Sequence, residues 1–260
     1  FVWKACYNGA GDGMRIFVIF DMDGTLYDLY APFAEAVCQC LKEETPPDDV
    51  LKQIFAASRR YSDELRAQGV NDAEQLVRQR SRLAFSDFGQ PLSEAQSIEL
   101  QRAYASAQAH LRMEPAMRNL LACLREAGAQ LALLSNGDAR HQREKAQQLG
   151  ADAYISVQRQ FFSGMIHRDK PDPALFRWVE EQLQVAQGDV IWYVGDSYEV
   201  DVIGAHDAGW RSIWSQAYLP QKQLSVNGTI DRVAVDLDEL REQLIAVLKG
   251  EEWDEMCRKR

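Results

Sequence analysis

The chain has 260 residues, with 29 basic and 39 acidic side chains, so its formal net charge at pH 7 is −10. This balance argues against general binding to nucleic acids or anionic membranes, because the chain lacks a strong positive field. It still allows a small anionic ligand, since one metal ion can reverse the field in a pocket. No purely apolar run exceeds five residues, the length of the run at residues 16–20, which is far too short to span a bilayer.

The two ends of the chain and its cysteines predict little specific chemistry. Residues 1–13 contain no continuous apolar segment and therefore do not predict a signal peptide. Because Met14 directly precedes a strand-like run, we expect residues 1–13 to be an N-terminal extension without a role in function. The charged residues 251–260 are expected to form a frayed tail. The five cysteines form no CxxC pair, which favours reduced thiols and a cytoplasmic location.

Strand-like and helix-like segments alternate over most of the chain. Short apolar runs predict buried strands at residues 16–20, 130–134 and 190–194. Weaker strand candidates are residues 154–157, 211–214 and 232–235. Amphipathic patterns predict helices at about residues 115–127, 139–149, 173–186, 198–208 and 237–249. This alternation favours an α/β fold with a mostly parallel, doubly wound sheet between two layers of helices.

A helical segment interrupts the alternation after the first strand. Helix-like patterns cover residues 30–43, 47–68, 72–88 and 93–112, with no convincing strand. Ser93 and Gln96 form a capping-box pattern at the start of the last of them. We interpret residues 29–112 as an inserted helical domain, which leaves residues 14–28 and 113–250 as the α/β core.

The first strong strand is followed by two acidic residues and a glycine. Asp21 and Asp23 can point to the same side of the sheet edge, and Gly24 allows a tight turn. One carboxylate could then act as a nucleophile while the other transfers protons. The alternative interpretation is a solvated acidic turn.

The second strong strand is followed by Ser135 and Asn136, just before a predicted helix. A hydroxyl, an amide and backbone N–H groups at a helix start could bind an anion, although both residue types are also favoured as simple helix caps. Lys170 lies beside Pro171, which would fix its loop. A fixed cation could neutralise a phosphate, and the alternative is an exposed loop lysine.

The third strong strand is followed by Asp196, which could form an oxygen-rich Mg²⁺ site with Asp21. Asp201 follows in the first turn of a predicted helix, where it could pair with Lys170 or simply complement the helix N-terminus. Open α/β sheets place their ligand crevice at the carboxyl ends of the strands. We therefore expect these side chains to share one crevice.

Four segments resemble the motifs of the haloacid dehalogenase-like hydrolase superfamily. They are DMDGTLYD at residues 21–28, LLSNGD at 133–138, KPDPALF at 170–176 and GDSYEVD at 195–201. The resemblance spans residues 16–214, and the helical insertion stands where this superfamily carries its C1 cap. It implies a Rossmann-like core with residues 29–112 as a C1-type helical cap.

The resemblance also implies residue roles. Asp21 would attack phosphorus and form an aspartyl-phosphate, and Asp23 would protonate the leaving oxygen and then activate water. Mg²⁺ would be bound by the Asp21 and Asp196 carboxylates and by the backbone carbonyl of Asp23. The phosphoryl oxygens would be held by Ser135, Lys170 and backbone N–H groups near Gly24 and Asn136. Thr25 and Asp201 would support the site.

The implied activity is a Mg²⁺-dependent phosphatase acting on a small phosphorylated metabolite, as a monomer or homodimer, with no nucleic-acid or membrane partner. Dehalogenase members lack an aspartate at the position of Asp23. The segment 135–145 resembles the branch that contains nucleotidases, flavin mononucleotide phosphatases and N-acylneuraminate-9-phosphatases, and phosphoglycolate phosphatase-like members share much of it. The alternatives are a phosphotransferase or mutase of the β-phosphoglucomutase type and a non-catalytic binding protein on the same fold.

Overall fold

The chain divides into two compact units, one built around a parallel sheet and one made of helices. The computed structural model describes residues 14–70, 72–219 and 230–250. The helical unit comprises Asp28–Leu111, and the remaining described residues form the sheet unit. The expectations for residues 1–13 and 251–260 lie outside the described residues.

In the part of the chain that the structure describes, six strands form the sheet in the order β3-β2-β1-β4-β5-β6, and every neighbouring pair is parallel. The strands are β1 (Ile16–Phe20), β2 (Gln130–Ser135), β3 (Gln160–Phe162), β4 (Val190–Gly195), β5 (Arg211–Ser215) and β6 (Arg232–Ala234). All five residues of β1 are buried, as expected for a central strand covered on both faces. The first strand in sequence thus lies in the middle of the sheet, between β2 and β4.

Four helices build the helical unit. They are α1 (Tyr30–Leu41), α2 (Asp48–Ala67), α3 (Ala73–Asp87) and α4 (Glu94–Gln108). The predicted capping box of α4 is present, because the Ser93 hydroxyl accepts from the backbone N–H of Gln96 while the Gln96 side chain accepts from the Ser93 backbone. Inside the unit, the ring of Phe33 packs against the rings of Phe55 and Tyr104.

The described residues of the sheet unit contain five α-helices. They are α5 (Pro115–Glu126), α6 (Ala139–Gln148), α7 (Pro173–Leu183), α8 (Ile203–Asp207) and α9 (Leu237–Lys249). Phe17 and Ile19 of β1 pack in one cluster with Phe176 of α7. Val18 is fully buried and points to the opposite face, since strand side chains alternate. The predicted Rossmann-like α/β fold class is therefore confirmed.

Two predicted elements differ from the structure. Residues 154–157 form no strand, and the strand lies at Gln160–Phe162 instead. The apolar pattern did not predict this strand because its first residue, Gln160, is polar. Gln160 is nevertheless buried, and its side chain donates to the carbonyl of Ile155 at 2.9 Å. The predicted helix 198–208 begins as a π-helical turn, Tyr198–Val202, and becomes α-helical only in α8. Such turns often occur at functional sites.

No helix in the described ranges combines the length and apolarity that crossing a membrane requires.

Candidate active site

The carboxyl ends of β2, β1 and β4 bring the polar motif residues to one edge of the sheet. Because these strands are parallel neighbours, Phe20 of β1 is level with Leu133 of β2 and Val194 of β4. Asp21 extends this ladder by donating its backbone N–H to the carbonyl of Val194 at 2.8 Å. The residues that end or follow these strands therefore lie side by side.

Asp21 is buried and makes an ion pair with Lys170. The Lys170 Nζ lies 2.7 Å from Oδ1 of Asp21, 2.7 Å from Oδ1 of Asp201 and 2.7 Å from the hydroxyl of Tyr193. All four side chains are almost fully buried. The three protons of the ammonium group thus have three acceptors, which fixes Lys170 against Asp21.

This cluster holds more negative than positive charge. Asp21, Asp196 and Asp201 are buried, and each offers a carboxylate oxygen within 4.8 Å of the others. Burial raises the pKa of Asp21 to about 8, against the opposing effect of Lys170 and with further increases from Asp201 and Asp196. Burial would lower the pKa of Lys170, but Asp201 and Asp21 raise it well above its ordinary value.

A hard divalent cation fits this donor set. Three carboxylates face one ammonium group, and oxygen ligands with excess negative charge are what such cations prefer. Asp201 already uses both oxygens, since Oδ1 accepts from Lys170 and Oδ2 accepts from the backbone N–H of Ser197 at 3.0 Å. Asp201 is therefore well placed to hold Lys170, and Asp21 and Asp196 are the other two candidate cation ligands of the cluster.

Gly195 makes the approach of Asp201 possible. A Cβ atom at this position would overlap the Asp201 carboxylate, so only glycine can end β4 here. Asp196 follows directly, and its carbonyl accepts a hydrogen bond from the indole N–H of Trp214 at 2.9 Å. The end of β4 is thus shaped to bring two carboxylates toward Lys170 and Asp21.

Asp23 lies two residues beyond Asp21 in a different environment. Its Oδ1 accepts from the Lys145 ammonium at 2.7 Å and from the Tyr27 hydroxyl, and its Oδ2 accepts from Nε2 of Gln142 at 2.9 Å. Burial would raise the pKa of Asp23, but Lys145, Tyr27 and Gln142 together hold it well below its usual range. The side chain is 26% exposed, so this carboxylate is the more accessible of the two.

A tight turn follows Asp23. Gly24 has a φ of +88°, a conformation that glycine adopts without the penalty of a side chain. The backbone N–H of Leu26 then donates to the carbonyl of Met22 at 3.0 Å. The hydroxyl of Thr25 is buried and has no hydrogen-bond partner among the described residues.

Ser135 and Asn136 link the end of β2 to its surroundings. The Asn136 side chain accepts from the Lys170 backbone N–H at 2.8 Å and donates to the Lys170 carbonyl at 3.1 Å. The Asn136 side-chain amide is therefore occupied by the backbone of Lys170. A phosphate contact at Asn136 would have to come from its backbone N–H group. The Ser135 hydroxyl is buried and accepts from Nε2 of Gln142 at 3.0 Å.

Three residues of this site were not assigned a role from the sequence: Gln142, Lys145 and Tyr193. Gln142 and Lys145 are three positions apart on α6, so they share one helix face. Tyr193 lies inside the apolar strand β4 and donates its hydroxyl to the carbonyl of Leu134 at 2.9 Å. The only sequence signal for the first two was the branch resemblance of residues 135–145, and Tyr193 gave none.

The fold and the site define an α/β unit with paired aspartates and a buried lysine at the edge of its parallel sheet. Residues 17–209 match the family model of the haloacid dehalogenase-like hydrolases. The match covers well over half of the chain, and the chain therefore belongs to the haloacid dehalogenase-like hydrolase family. The expected family is confirmed.

Similar proteins agree with this assignment. Pyrimidine 5'-nucleotidase PynA of Streptococcus pneumoniae is 27% identical over 200 residues, covering 76% of this chain and 82% of that protein. Phosphoserine phosphatase of Thermus thermophilus is 36% identical over 116 residues, or 45% of each chain. The putative hydrolase YfnB of Bacillus subtilis, solved bound to magnesium, has the same fold, with a TM-score of 0.64, 21% identity and coverage of 89% of this chain and 98% of that chain. Curated relatives named as a nucleotidase and a phosphatase support an enzyme that hydrolyses phosphoric monoesters.

Proposed function

We propose that this protein is a Mg²⁺-dependent phosphatase that hydrolyses a small phosphomonoester through an aspartyl-phosphate on Asp21. The observation that carries the proposal is the contact of Lys170 with Asp21 and Asp201 in a buried site that also contains Asp196. Phosphoryl transfer is catalysed mainly by positioning and charge neutralisation. One buried ammonium group and a cation-binding cluster beside a carboxylate nucleophile meet both requirements.

The reaction has two steps. In the first, a carboxylate oxygen of Asp21 forms a bond to phosphorus, the bond from phosphorus to the leaving oxygen breaks, and Asp23 gives that oxygen a proton. In the second, water attacks the phosphorus, the bond to Asp21 breaks, and Asp23 accepts a proton from the water. The donors around Asp23 favour its carboxylate form, which is the form that the second step needs. The proton that Asp23 accepts from water in this step is the one that it gives to the leaving oxygen in the next turnover.

The remaining site residues would hold the phosphoryl group. Ser135 and backbone N–H groups near Gly24 and Asn136 would donate to its oxygens, and the positive charge of Lys170 would attract them. When bound by Asp21, Asp196 and the Asp23 carbonyl, Mg²⁺ would neutralise charge on the transferring group. Thr25 and Asp201 would support the site, the latter by holding Lys170 in place.

The substrate class follows from the relatives' names. The names of PynA and the Thermus enzyme specify phosphate monoesters of small metabolites, and we propose a substrate of this class. A cytoplasmic location and a monomeric or homodimeric state remain predictions from the sequence. Consistent with reduced thiols, Cys38, Cys40 and Cys123 are free.

The test is phosphate release from a panel of phosphorylated metabolites, measured with Mg²⁺ and with EDTA. The panel contains pyrimidine nucleotides, phosphoserine, N-acylneuraminate 9-phosphate, flavin mononucleotide, phosphoglycolate and sugar phosphates. We expect Mg²⁺-dependent release that falls by at least about 10⁴-fold in Asp21→Asn, as for loss of a nucleophile. Asp207→Asn, which alters an exposed carboxylate of α8, is the matched control and should keep wild-type activity.

The alternatives give different results in the same assay. A mutase of the β-phosphoglucomutase type would move labelled phosphate between sugar positions without releasing it. A non-catalytic binding protein would release none from any compound, including p-nitrophenyl phosphate. Release that persists unchanged in Asp21→Asn would contradict the proposed nucleophile.

A further inference from the structure

Two residues of α6, Gln142 and Lys145, contact Asp23, and neither makes or breaks a bond in the two-step reaction. The Lys145 ammonium and Nε2 of Gln142 donate to different oxygens of the Asp23 carboxylate, at 2.7 Å and 2.9 Å. The Tyr27 hydroxyl is a third donor, to the same oxygen as Lys145. Both carboxylate oxygens are therefore held, and the side chain is restricted to one orientation.

Lys145 reaches Asp23 from a distant part of the sequence. Its side chain is only 13% exposed, whereas lysine side chains are rarely buried unless they are paired. Arg140, on the same helix, is 88% exposed and pairs with Glu144 one turn later. Two basic residues of the same helix thus differ, with Lys145 largely buried against Asp23 and Arg140 exposed to solvent.

Gln142 makes contacts that packing alone does not explain. Its Nε2 lies within hydrogen-bond distance of Asp23, of the Ser135 hydroxyl (3.0 Å) and of the Asn136 carbonyl (2.7 Å). Its Oε1 is buried and has no partner among the described residues, which costs free energy. Rotating the amide by 180° would place Oε1 against the negatively charged carboxylate of Asp23, which is unfavourable. The observed orientation instead lets Nε2 donate to Asp23.

We propose that Gln142 and Lys145 are positioning residues that hold Asp23 in place for hydrolysis of the aspartyl-phosphate on Asp21. The inference rests on the proposed function. In this step the oxygen of water bonds to phosphorus, the bond from phosphorus to Asp21 breaks, and the proton of the water passes to Asp23. A carboxylate already fixed by donors from α6 loses no further freedom when it accepts that proton.

The experiment measures burst kinetics with p-nitrophenyl phosphate in the presence of Mg²⁺. Its leaving group is a weak base that needs little protonation, so loss of Asp23 positioning should slow mainly the second step. For Lys145→Met and Gln142→Leu we expect kcat to fall about 10- to 100-fold, part of the roughly 10²- to 10⁴-fold that a positioned acid–base group contributes. KM should not rise, and a burst of p-nitrophenolate with trapped phosphorylated enzyme should appear.

Matched variants separate this role from general damage. Lys145→Arg keeps a cationic donor and should restore kcat to within about threefold of wild type, because a charged donor remains. Arg140→Met removes an exposed basic residue of the same helix and should leave kcat unchanged. Should Lys145→Met fail to fold, Lys145→Gln keeps a donor without the charge and should show the same burst with a smaller loss.

A double-mutant cycle with Asp23→Asn decides the mechanism. If Lys145 and Gln142 act through Asp23, adding Lys145→Met or Gln142→Leu to Asp23→Asn should cost less than about twofold further, because coupled residues are not additive. A full additional loss in that background would overturn the inference. If the wild type is active and the kcat of each single variant is unchanged, this inference is overturned but the proposed function stands. If the wild type is inactive, the proposed function is overturned as well.

Discussion

Asp21 and Asp23 are two residues apart, yet their surroundings are opposite. Asp21 is buried beside one ammonium group and two other carboxylates, and burial raises its pKa to about 8. Asp23 is more exposed and accepts from three donors, which hold its pKa low despite the opposing effect of burial. Identical side chains thus acquire different chemistry from their neighbours, as in other paired-carboxylate sites.

The path of the backbone explains why Asp21 and Asp23, only two positions apart, contact different residues. Asp21 still continues the β1 ladder through its hydrogen bond to Val194, so it faces the residues that follow β4. Asp23 precedes the turn at Gly24, where the chain has left the sheet and meets α6. Within three residues of the end of β1, the chain thus passes from contacts with the neighbouring strand to contacts with α6.

The largest expected difference is in formation of the phosphorylated enzyme. Asp21→Asn should prevent covalent labelling by a radiolabelled phosphomonoester and lower turnover by at least about 10⁴-fold, because the nucleophile is lost. Asp23→Asn should still become labelled, while turnover falls by about 10²- to 10⁴-fold. Acid-quenched enzyme resolved on a gel would measure this, and equal loss of label in both variants would remove the distinction between the two carboxylates.

The two lysines should differ in their effect on stability. Lys170→Met leaves Asp21 and Asp201 buried without their ammonium group, and we expect the free energy of unfolding to fall by about 3–5 kcal/mol. Lys145→Met breaks a partly exposed pair and should cost about 1 kcal/mol or less. Urea unfolding without metal measures both values. A similar loss of unfolding free energy in both variants would show that the greater burial of Lys170 does not make its ion pairs more important for stability than the pair of Lys145 with Asp23.

Mg²⁺ should stabilise the protein mainly through the carboxylates of Asp21 and Asp196. At a concentration 100 times its Kd, a ligand that binds only the folded state adds about 2.7 kcal/mol. We expect this gain to disappear in Asp196→Asn and to persist in Lys145→Arg, whose change lies beside the Asp23 side chain and not among the carboxylates of the cation cluster. Thermal unfolding with increasing MgCl₂ is the measurement, and an undiminished shift in Asp196→Asn would place the cation elsewhere.

The smallest effect concerns the hydroxyl that supports Lys170. Tyr193→Phe removes an acceptor for Lys170 and a donor to the Leu134 carbonyl, which should cost about 1 kcal/mol of stability. Activity should fall by less than about tenfold, because Asp21 and Asp201 still hold the ammonium group. Tyr154→Phe, at a tyrosine outside this site, is the control, and an equal effect there would argue against a specific role for Tyr193.

Much of the fold could be predicted because its strongest signals are local. The apolar runs at residues 16–20, 130–134 and 190–194 each became a strand, since a strand buried on both faces needs a continuous apolar sequence. The strand at Gln160–Phe162 was missed because it is short and begins with a buried glutamine that hydrogen-bonds to Ile155. Local apolar pattern cannot reveal a polar residue that is satisfied by the tertiary structure.

The site was predictable where its residues end or directly follow a strand, and the pairing of Asp201 with Lys170 was one of the predicted possibilities. Asp21, Ser135 and Asp196 lie at these strand ends, and the parallel order of β2, β1 and β4 brings them together. Gln142, Lys145 and Tyr193 reach the site through the direction of a helix face and the register of a strand. Those depend on how α6 and β4 pack, which sequence spacing alone does not determine.

The central place of β1 has a consequence for synthesis of the chain on the ribosome. Both neighbours of β1 are encoded far downstream, because β2 begins at Gln130 and β4 at Val190. The helical unit, Asp28–Leu111, is contiguous and emerges before either neighbour. The nascent chain therefore carries the wholly apolar β1 without either partner strand until about half of the 260 residues have been added, and such exposed segments are what chaperones exist to protect.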